Sequence, residues 1–311
     1  MRDKISLNKD NCKILICCHK PCELPPNPDG LFLPVQVGAA ISDVDLGMQR
    51  DDQVNGEPCD NISAKNKSYC ELTALYWAWK NIKKLYPNLE YIGLNHYRRY
   101  FSFDEKNYFK VNIEKNIKNI NQYKIDIKRL ERVLKKENCI LCKKQVFPYT
   151  VELQYCHSHI SSDFNTIKKI IKEGDYKEYF SDFETVLCKN NKISFCNMFI
   201  MKYEDFEKYC KWLFSILSEA ENVINISMYD QVQCRVFGYL AERLLNVYSY
   251  HNFRKIHYFN IIMYVDNLLK GSKLNELKKF LKDTLGFRIY AKSIGIRGFM
   301  KFILNKTKHR T

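Results

Sequence analysis

Arg98 and Arg99 lie in a short run that also holds Asn95, His96, Tyr97 and Tyr100. A guanidinium presents a planar fork of N–H donors that fits phosphate bidentately and never deprotonates, so two of them beside an amide and an imidazole can hold an anionic group. The competing reading is a solvated edge pair, because charged side chains are mostly exposed. His19 and Lys20 form a second basic dipeptide. His157 and His159, two residues apart, would point the same way on a strand and suit a metal or a sugar hydroxyl. In a loop leading into a helix capped by Ser161 or Ser162 they would do neither.

These groups need elements to position them. Lys13 to Cys18 is continuously apolar apart from its first residue and reads as a strand buried on both faces, which leaves His19 and Lys20 at its C-terminal end. Ser68 and Glu71 have capping-box spacing and predict a helix start at Ser68. Leu72, Leu75, Tyr76, Trp79 and Ile82 then form one apolar stripe. Tyr86-Pro87-Asn88 stops the helix, and Tyr91 to Leu94 reads as a buried strand that delivers the Asn95 to Phe101 run. In open α/β sheets, ligands sit at the C-terminal ends of such strands. Lys65, in the loop before the predicted helix, adds a third positive group, and the helix N-terminus itself favours an anion.

Other segments follow by pattern. Phe32 to Val37 looks extended and leads from Gln36 to Gly38, which either lets the backbone approach a nucleotide or is a turn glycine. Asp126 to Glu137 reads as a helix and Cys139 to Val146 as a strand; Phe164 to Ile171 and Tyr176 to Val186 read as helices. Phe195 to Met201 is a further buried strand, whose Asn197 must be hydrogen-bonded, either to substrate or to a neighbouring loop. Glu204 to Ala220 and Gln231 to Val247 are amphipathic helices, the second carrying Arg235, Glu242 and Arg243.

The 311 residues suit one α/β domain of about 250 residues with an appendage. A content of 46% apolar residues with 21 Tyr and 19 Phe excludes disordered and fibrous classes. Thirteen scattered cysteines fit reduced buried thiols, and the lone Cys139–Cys142 pair makes no zinc site. No signal peptide and no apolar run of 18 residues stand out, so the expected location is cytoplasmic.

Asp60-Asn61-Ile62-Ser63, Tyr69 to Asn81, Tyr91 to Phe101, Cys196 to Met201, and Arg235 to Leu240 running into Glu242 to Leu245 resemble the motifs of a bacterial family from capsule, exopolysaccharide and O-antigen clusters. The resemblance covers about residues 12 to 250. It implies a glycosyltransferase with a GT-A-like, Rossmann-type nucleotide-binding fold and a mixed central sheet, with the domain spanning 12–260. The expected donor is a nucleotide-diphosphate sugar, UDP-linked, carrying galactose or galactofuranose; the acceptor is a glycan or lipid-linked glycan. The donor would be bound by His19, Lys20, Gln36, Gly38, Asn61, Lys65, Asn95, His96, Arg98 and Arg99. Further acceptor or phosphate contacts fall to His157, His159, Asn197, Arg235 and Arg243.

A transferase that inverts the anomeric centre needs a carboxylate within about 3 Å of the acceptor hydroxyl. Glu242, Asp230 and Asp163 are the candidates, and pairing of Glu242 with Arg243 or Arg235 is the structural alternative. Asp43-Val44-Asp45 spells the DxD by which many GT-A enzymes hold a metal, but it precedes Gly47 in a polar loop instead of following a buried strand. The expectation is transfer without a metal cofactor, Mn²⁺ or Mg²⁺ being the alternative.

The segment 261–311 differs from the rest. From Gly271 to Thr311, eight Lys and three Arg stand against Glu276 and Asp283, which is +9 of the chain's +15. Apolar residues interleaved with this charge suit an anionic membrane surface, at the inner face of the cytoplasmic membrane. Two rivals remain: a non-catalytic subunit of a polysaccharide assembly complex, and a nucleic-acid-binding protein. The second is disfavoured because the charge is concentrated in the tail and no recognition signature for nucleic acid appears.

Overall fold

A computed structural model of the chain describes residues 5–103, 115–117 and 119–264. In chain order the strands are β1 (Cys12–Cys18), β2 (Phe32–Gln36), β3 (Gln49–Arg50), β4 (Gln53–Val54), β5 (Glu57–Pro58), β6 (Tyr91–His96), β7 (Arg99–Phe101), β8 (Lys115–Ile117), β9 (Cys139–Cys142), β10 (Gln145–Val146), β11 (Lys192–Ile193), β12 (Phe199–Lys202), β13 (Ile256–Phe259) and β14 (Ile261–Tyr264). The helices are α1 (Asn66–Tyr69), α2 (Leu72–Leu85), α3 (Ile127–Leu134), α4 (Val151–Ser158), α5 (Ser161–Glu173), α6 (Phe180–Phe183), α7 (Tyr203–Val223) and α8 (Val236–Asn252).

One mixed sheet runs β13-β9-β12-β6-β1-β2-β3, and β7, β14 and β8 extend it from β6. β1 lies parallel to both β2 and β6, so the strand order reverses at β1. β12 is inserted antiparallel between β6 and β9. Gly93 permits that insertion: a Cβ there would stand 2.8 Å from Ile200 Cγ1 and 2.9 Å from the Phe199 carbonyl. Strand residues alternate between two cores. Leu15, Ile92, Leu94, Phe199 and Met201 pack with residues of α2, α7 and α8, while Ile14, Ile16, Tyr91, Ile140 and Ile200 pack in the core of the opposite face.

Several expectations need correction. Ser68 does not cap a helix: its hydroxyl donates to the Lys65 carbonyl, and Cys70, at φ +54, breaks the chain between α1 and α2. The α2 stripe is wider than the sequence reading, because the helix is covered by both the sheet and α7. Trp77 is fully buried, whereas Trp79 is half-buried and stacked on Phe214 with 5.8 Å between centroids. The helix expected over 176–186 is present but changes pitch, with a 3-10 turn at Lys177–Tyr179, α6 at Phe180–Phe183 and a π turn at Glu184–Cys188. The strand expected from Phe195 begins at Phe199, because Cys196 and Asn197 take left-handed conformations. The domain boundary expected after 260 moves, since Ile261–Met263 pair with Arg99–Phe101 and Tyr264 belongs to the same folded unit. The basic segment 271–311 lies outside the described residues.

Candidate functional site

Register builds the site. Cys17 faces His96 across the parallel β1–β6 pair, so the residues that follow each strand emerge side by side. His19 and Lys20 follow β1; Tyr97 and Arg98 turn β6 into β7. The Tyr97 ring is their common support. His19 meets it edge-on at 5.1 Å, the Arg98 guanidinium lies 4.7 Å from its centroid and the Lys20 ammonium 5.8 Å. Arg235, just before α8, is exposed, donates Nε–H to Cys70 Sγ at 3.3 Å, and stands over Tyr239 at 5.5 Å. Among the described residues, the side chains of His19, Lys20 and Arg98 make no hydrogen bond or ion pair, and neither Nη of Arg235 does.

These unspent donors form one electrostatic group. Burial, then the charges of Lys20, Arg98 and Arg235, hold the His19 imidazole down to about 4, so it is neutral at ordinary pH. A neutral ring among fixed cations is suited to hydrogen bonding, while the two arginines and the lysine supply the positive field. This is the place, beside a reversal of strand order and at the strands' C-terminal ends, where open α/β sheets bind ligands.

Behind this mouth lies a wall organised by the 196–197 turn. The His96 ring makes a 2.6 Å hydrogen bond from Nε2 to the Cys196 carbonyl. A carbonyl only accepts, so Nε2 carries the proton and Nδ1 keeps its lone pair. Burial lowers the His96 pKa, opposed by Glu71 and assisted by Arg99. Cys196 N–H donates to Glu242 Oε1 at 2.9 Å, and Arg243 Nη1 donates to Glu242 Oε2 at 2.8 Å. Burial raises the Glu242 carboxyl against the pull of Arg243. Asn197 Nδ2 donates to Glu71 Oε1 at 2.7 Å and to the Gly238 carbonyl at 3.2 Å. Cys70, Cys196 and Asn197 all hold positive φ here (+54, +73 and +50), a strained backbone concentrated in one place. Burial pushes the Cys70 thiol up to about 11, so it stays protonated.

The remaining candidates have other tasks. Gln36 is buried and ties the 42–47 loop, donating to the Val44 carbonyl and accepting from Leu46 N–H. Gly38 has φ +68, and a Cβ there would meet the Asn66 side chain at 2.8 Å; its N–H donates to buried Asp51. Asn61 closes a local turn with Ser63 N–H, and Lys65 pairs with Glu221 at 2.8 Å. Asn95 is buried on the sheet face opposite His96, its Oδ1 without a partner among the described residues. Asp230 is exposed and accepts from Val232 and Gln233 N–H, while Asp163, in the first turn of α5, accepts from the Tyr229 hydroxyl at 2.7 Å. His157 lies within α4 and His159 at its C-terminal cap, so the strand reading of the pair fails. His159 instead stacks on Tyr239 at 4.0 Å. Arg243 is 2% exposed; its Nη1 donates to the Tyr239 carbonyl and Glu242 and its Nη2 to Gln154, while its Nε has no partner among the described residues. Asp43 and Asp45 sit in an exposed loop where Asp45 Oδ1 accepts Gly47 N–H; among the described residues no three His, Cys, Asp or Glu side chains are grouped to hold a metal.

Residues 13–253 match the sequence profile of a family described as a domain of unknown function, DUF4422. The chain belongs to this family. Its fold is similar to the solved apo structure of the bifunctional glycosyltransferase WbbM, with a TM-score of 0.70 and 29% identity over 82% of this chain and 45% of that one. The chain thus matches less than half the length of that protein. No curated protein matches it. The α/β class with a mixed central sheet agrees with that likeness.

Two parts of this DUF4422 site escape sequence reasoning. Glu71 fits a capping box by spacing, which hides its place beside Asn197. The left-handed 196–197 turn carries no glycine to announce it; the signal available is Asn197, a residue type that tolerates positive φ. Among the described residues, no helix is long and apolar enough to cross a membrane.

Proposed function

We propose that this chain is a glycosyltransferase that moves a sugar from a nucleotide-diphosphate donor, UDP-linked, to a glycan or lipid-linked glycan of a surface polysaccharide. Galactose and galactofuranose are the sugars to test first. The observation that carries the reading is the set of unspent donors on His19, Lys20, Arg98 and Arg235 at the ends of β1 and β6. Such a set suits a diphosphate whose charge grows as the glycosidic bond breaks, where preorganised positive charge stabilises most. The likeness to WbbM supports glycosyl transfer as the reaction class. The guanidiniums and the lysine can carry the diphosphate charge themselves, and transfer without metal is part of the proposal. Association of the basic 271–311 segment with anionic lipid belongs to the same proposal, and co-sedimentation with anionic vesicles tests it.

Calorimetric titration with UDP, GDP and CMP, each in EDTA and in Mn²⁺, tests the site. One nucleotide should bind in EDTA. Binding that requires Mn²⁺ would return the diphosphate to an acidic site such as Asp43 and Asp45, and absence of all binding would favour a non-catalytic subunit.

A further inference from the structure

The structure assigns the acceptor-activating base to Glu71, with Asn197 as its positioning residue; the assignment rests on the glycosyl-transfer reading above. Three carboxylates look eligible by sequence, and the fold employs each elsewhere. Both Glu242 oxygens are taken, by Cys196 N–H and by Arg243. Asp163 is buried against Tyr229, and Asp230 caps the turn before α8 from an exposed position.

Glu71 is different. The Cys70 break turns the chain so that Glu71 precedes α2 at the inner edge of the basic mouth, half-buried, with His96 and Arg235 as electrostatic neighbours. Its Oε1 is held by Asn197 Nδ2, while Oε2 takes no hydrogen bond or ion pair among the described residues. The orientation of Asn197 is determined, because both its Nδ2 partners, Glu71 Oε1 and the Gly238 carbonyl, only accept. That orientation leaves Asn197 Oδ1 buried without a donor, on a residue 1% exposed. A buried acceptor in that state is costly unless a ligand or water donates to it. Glu71 Oε2 is left to accept the single proton of a hydroxyl nucleophile, and Asn197 Oδ1 keeps a lone pair for a second donor from ligand or water.

The step balances as a single displacement. The acceptor hydroxyl proton passes to Glu71 Oε2 as its oxygen bonds to the anomeric carbon. The bond from that carbon to the diphosphate oxygen breaks, its electron pair leaves with the nucleotide diphosphate, and His19, Lys20, Arg98 and Arg235 face the new charge. Configuration at the anomeric carbon inverts.

The test uses the full chain with a panel of UDP-hexoses, measuring UDP release with water or added glycan as acceptor, alongside UDP affinity and thermal stability. Glu71→Gln keeps an oxygen for Asn197 and removes the base. It should lower turnover by about 100-fold or more while UDP affinity stays within about twofold, and Glu71→Asp should fall between it and the parent. An active parent whose Glu71→Gln variant retains turnover within about threefold, or loses stability and UDP affinity together, overturns the assignment. A parent that neither binds UDP nor releases it from any donor overturns the transferase reading instead, and the assignment with it.

Discussion

Arg235 and Arg243 stand eight residues apart at the start and in the middle of α8, and the fold treats them in opposite ways. Arg235 is exposed, with one hydrogen bond to Cys70 and both Nη groups open. Arg243 is sandwiched between Tyr155 and Phe195, 5.1 and 5.2 Å from their centroids, and bonds to Tyr239, Glu242 and Gln154. The same guanidinium is a free donor at one end of the helix and an internal strut at the other. Residue type sets what a group can do; depth and existing partners set whether it is available to a ligand.

The hardest test of that contrast is to truncate both. Arg243→Ala leaves the Glu242 carboxylate buried without its cation and should cost about 3–5 kcal/mol of stability in a urea titration. Arg235→Ala should leave stability within about 0.5 kcal/mol and weaken UDP binding by about 1.5–3 kcal/mol, the range for a charge-assisted contact. Similar stability losses in the two variants would erase the distinction between strut and donor.

This contrast also marks how far the sequence carries. β1, β6, α7 and α8 were legible because burial imposes a continuous apolar run or a helical period on Ile14 to Cys18, Tyr91 to Leu94, Phe206 to Ile216 and Phe237 to Val247. The basic dipeptide and Arg98 were legible because His19-Lys20 and Tyr97-Arg98 follow directly on two such strands. What separates Arg235 from Arg243 is tertiary: the depth of Tyr155 and Phe195 around one of them has no local signal. The same holds for β14, whose pairing with β7 joins residues far apart in the chain. Glu71 was misread because Ser68-x-x-Glu71 satisfies a local rule that the Cys70 break overrides.

A second contrast, of intermediate size, sets His159 against the carboxyls. His159 stacks on Tyr239 and burial, with Arg243, holds it down to about 4. An unfolded histidine titrates near about 6.5, so as pH falls below that value the unfolded chain binds a proton that the folded chain refuses. Stability therefore drops between about pH 6.5 and 4. Glu242, whose carboxyl burial raises, acts in the opposite sense, because the folded state then takes its proton first. His159→Gln should recover about 1 kcal/mol of the loss between pH 6.5 and 5, read from thermal unfolding at each pH. An unchanged slope would place the titration on His96 or elsewhere.

The smallest effect is expected at Lys65, and it decides how wide the anion site is. Lys65 lies beside the short α1 and pairs with Glu221 in the open, their side chains 47% and 35% exposed. Tyr69 donates to the same Glu221 Oε2 at 3.1 Å, so that oxygen holds both side chains at the end of α7. The four-residue α1 is too short to supply the helix field expected to assist it. An exposed pair of this kind contributes about 0–1 kcal/mol. Lys65→Ala should accordingly shift stability by less than about 1 kcal/mol and leave UDP affinity within about twofold. A tenfold loss of affinity would mean that Lys65 leaves Glu221 for the ligand, and the site would then extend from the β1–β6 ends across to α7.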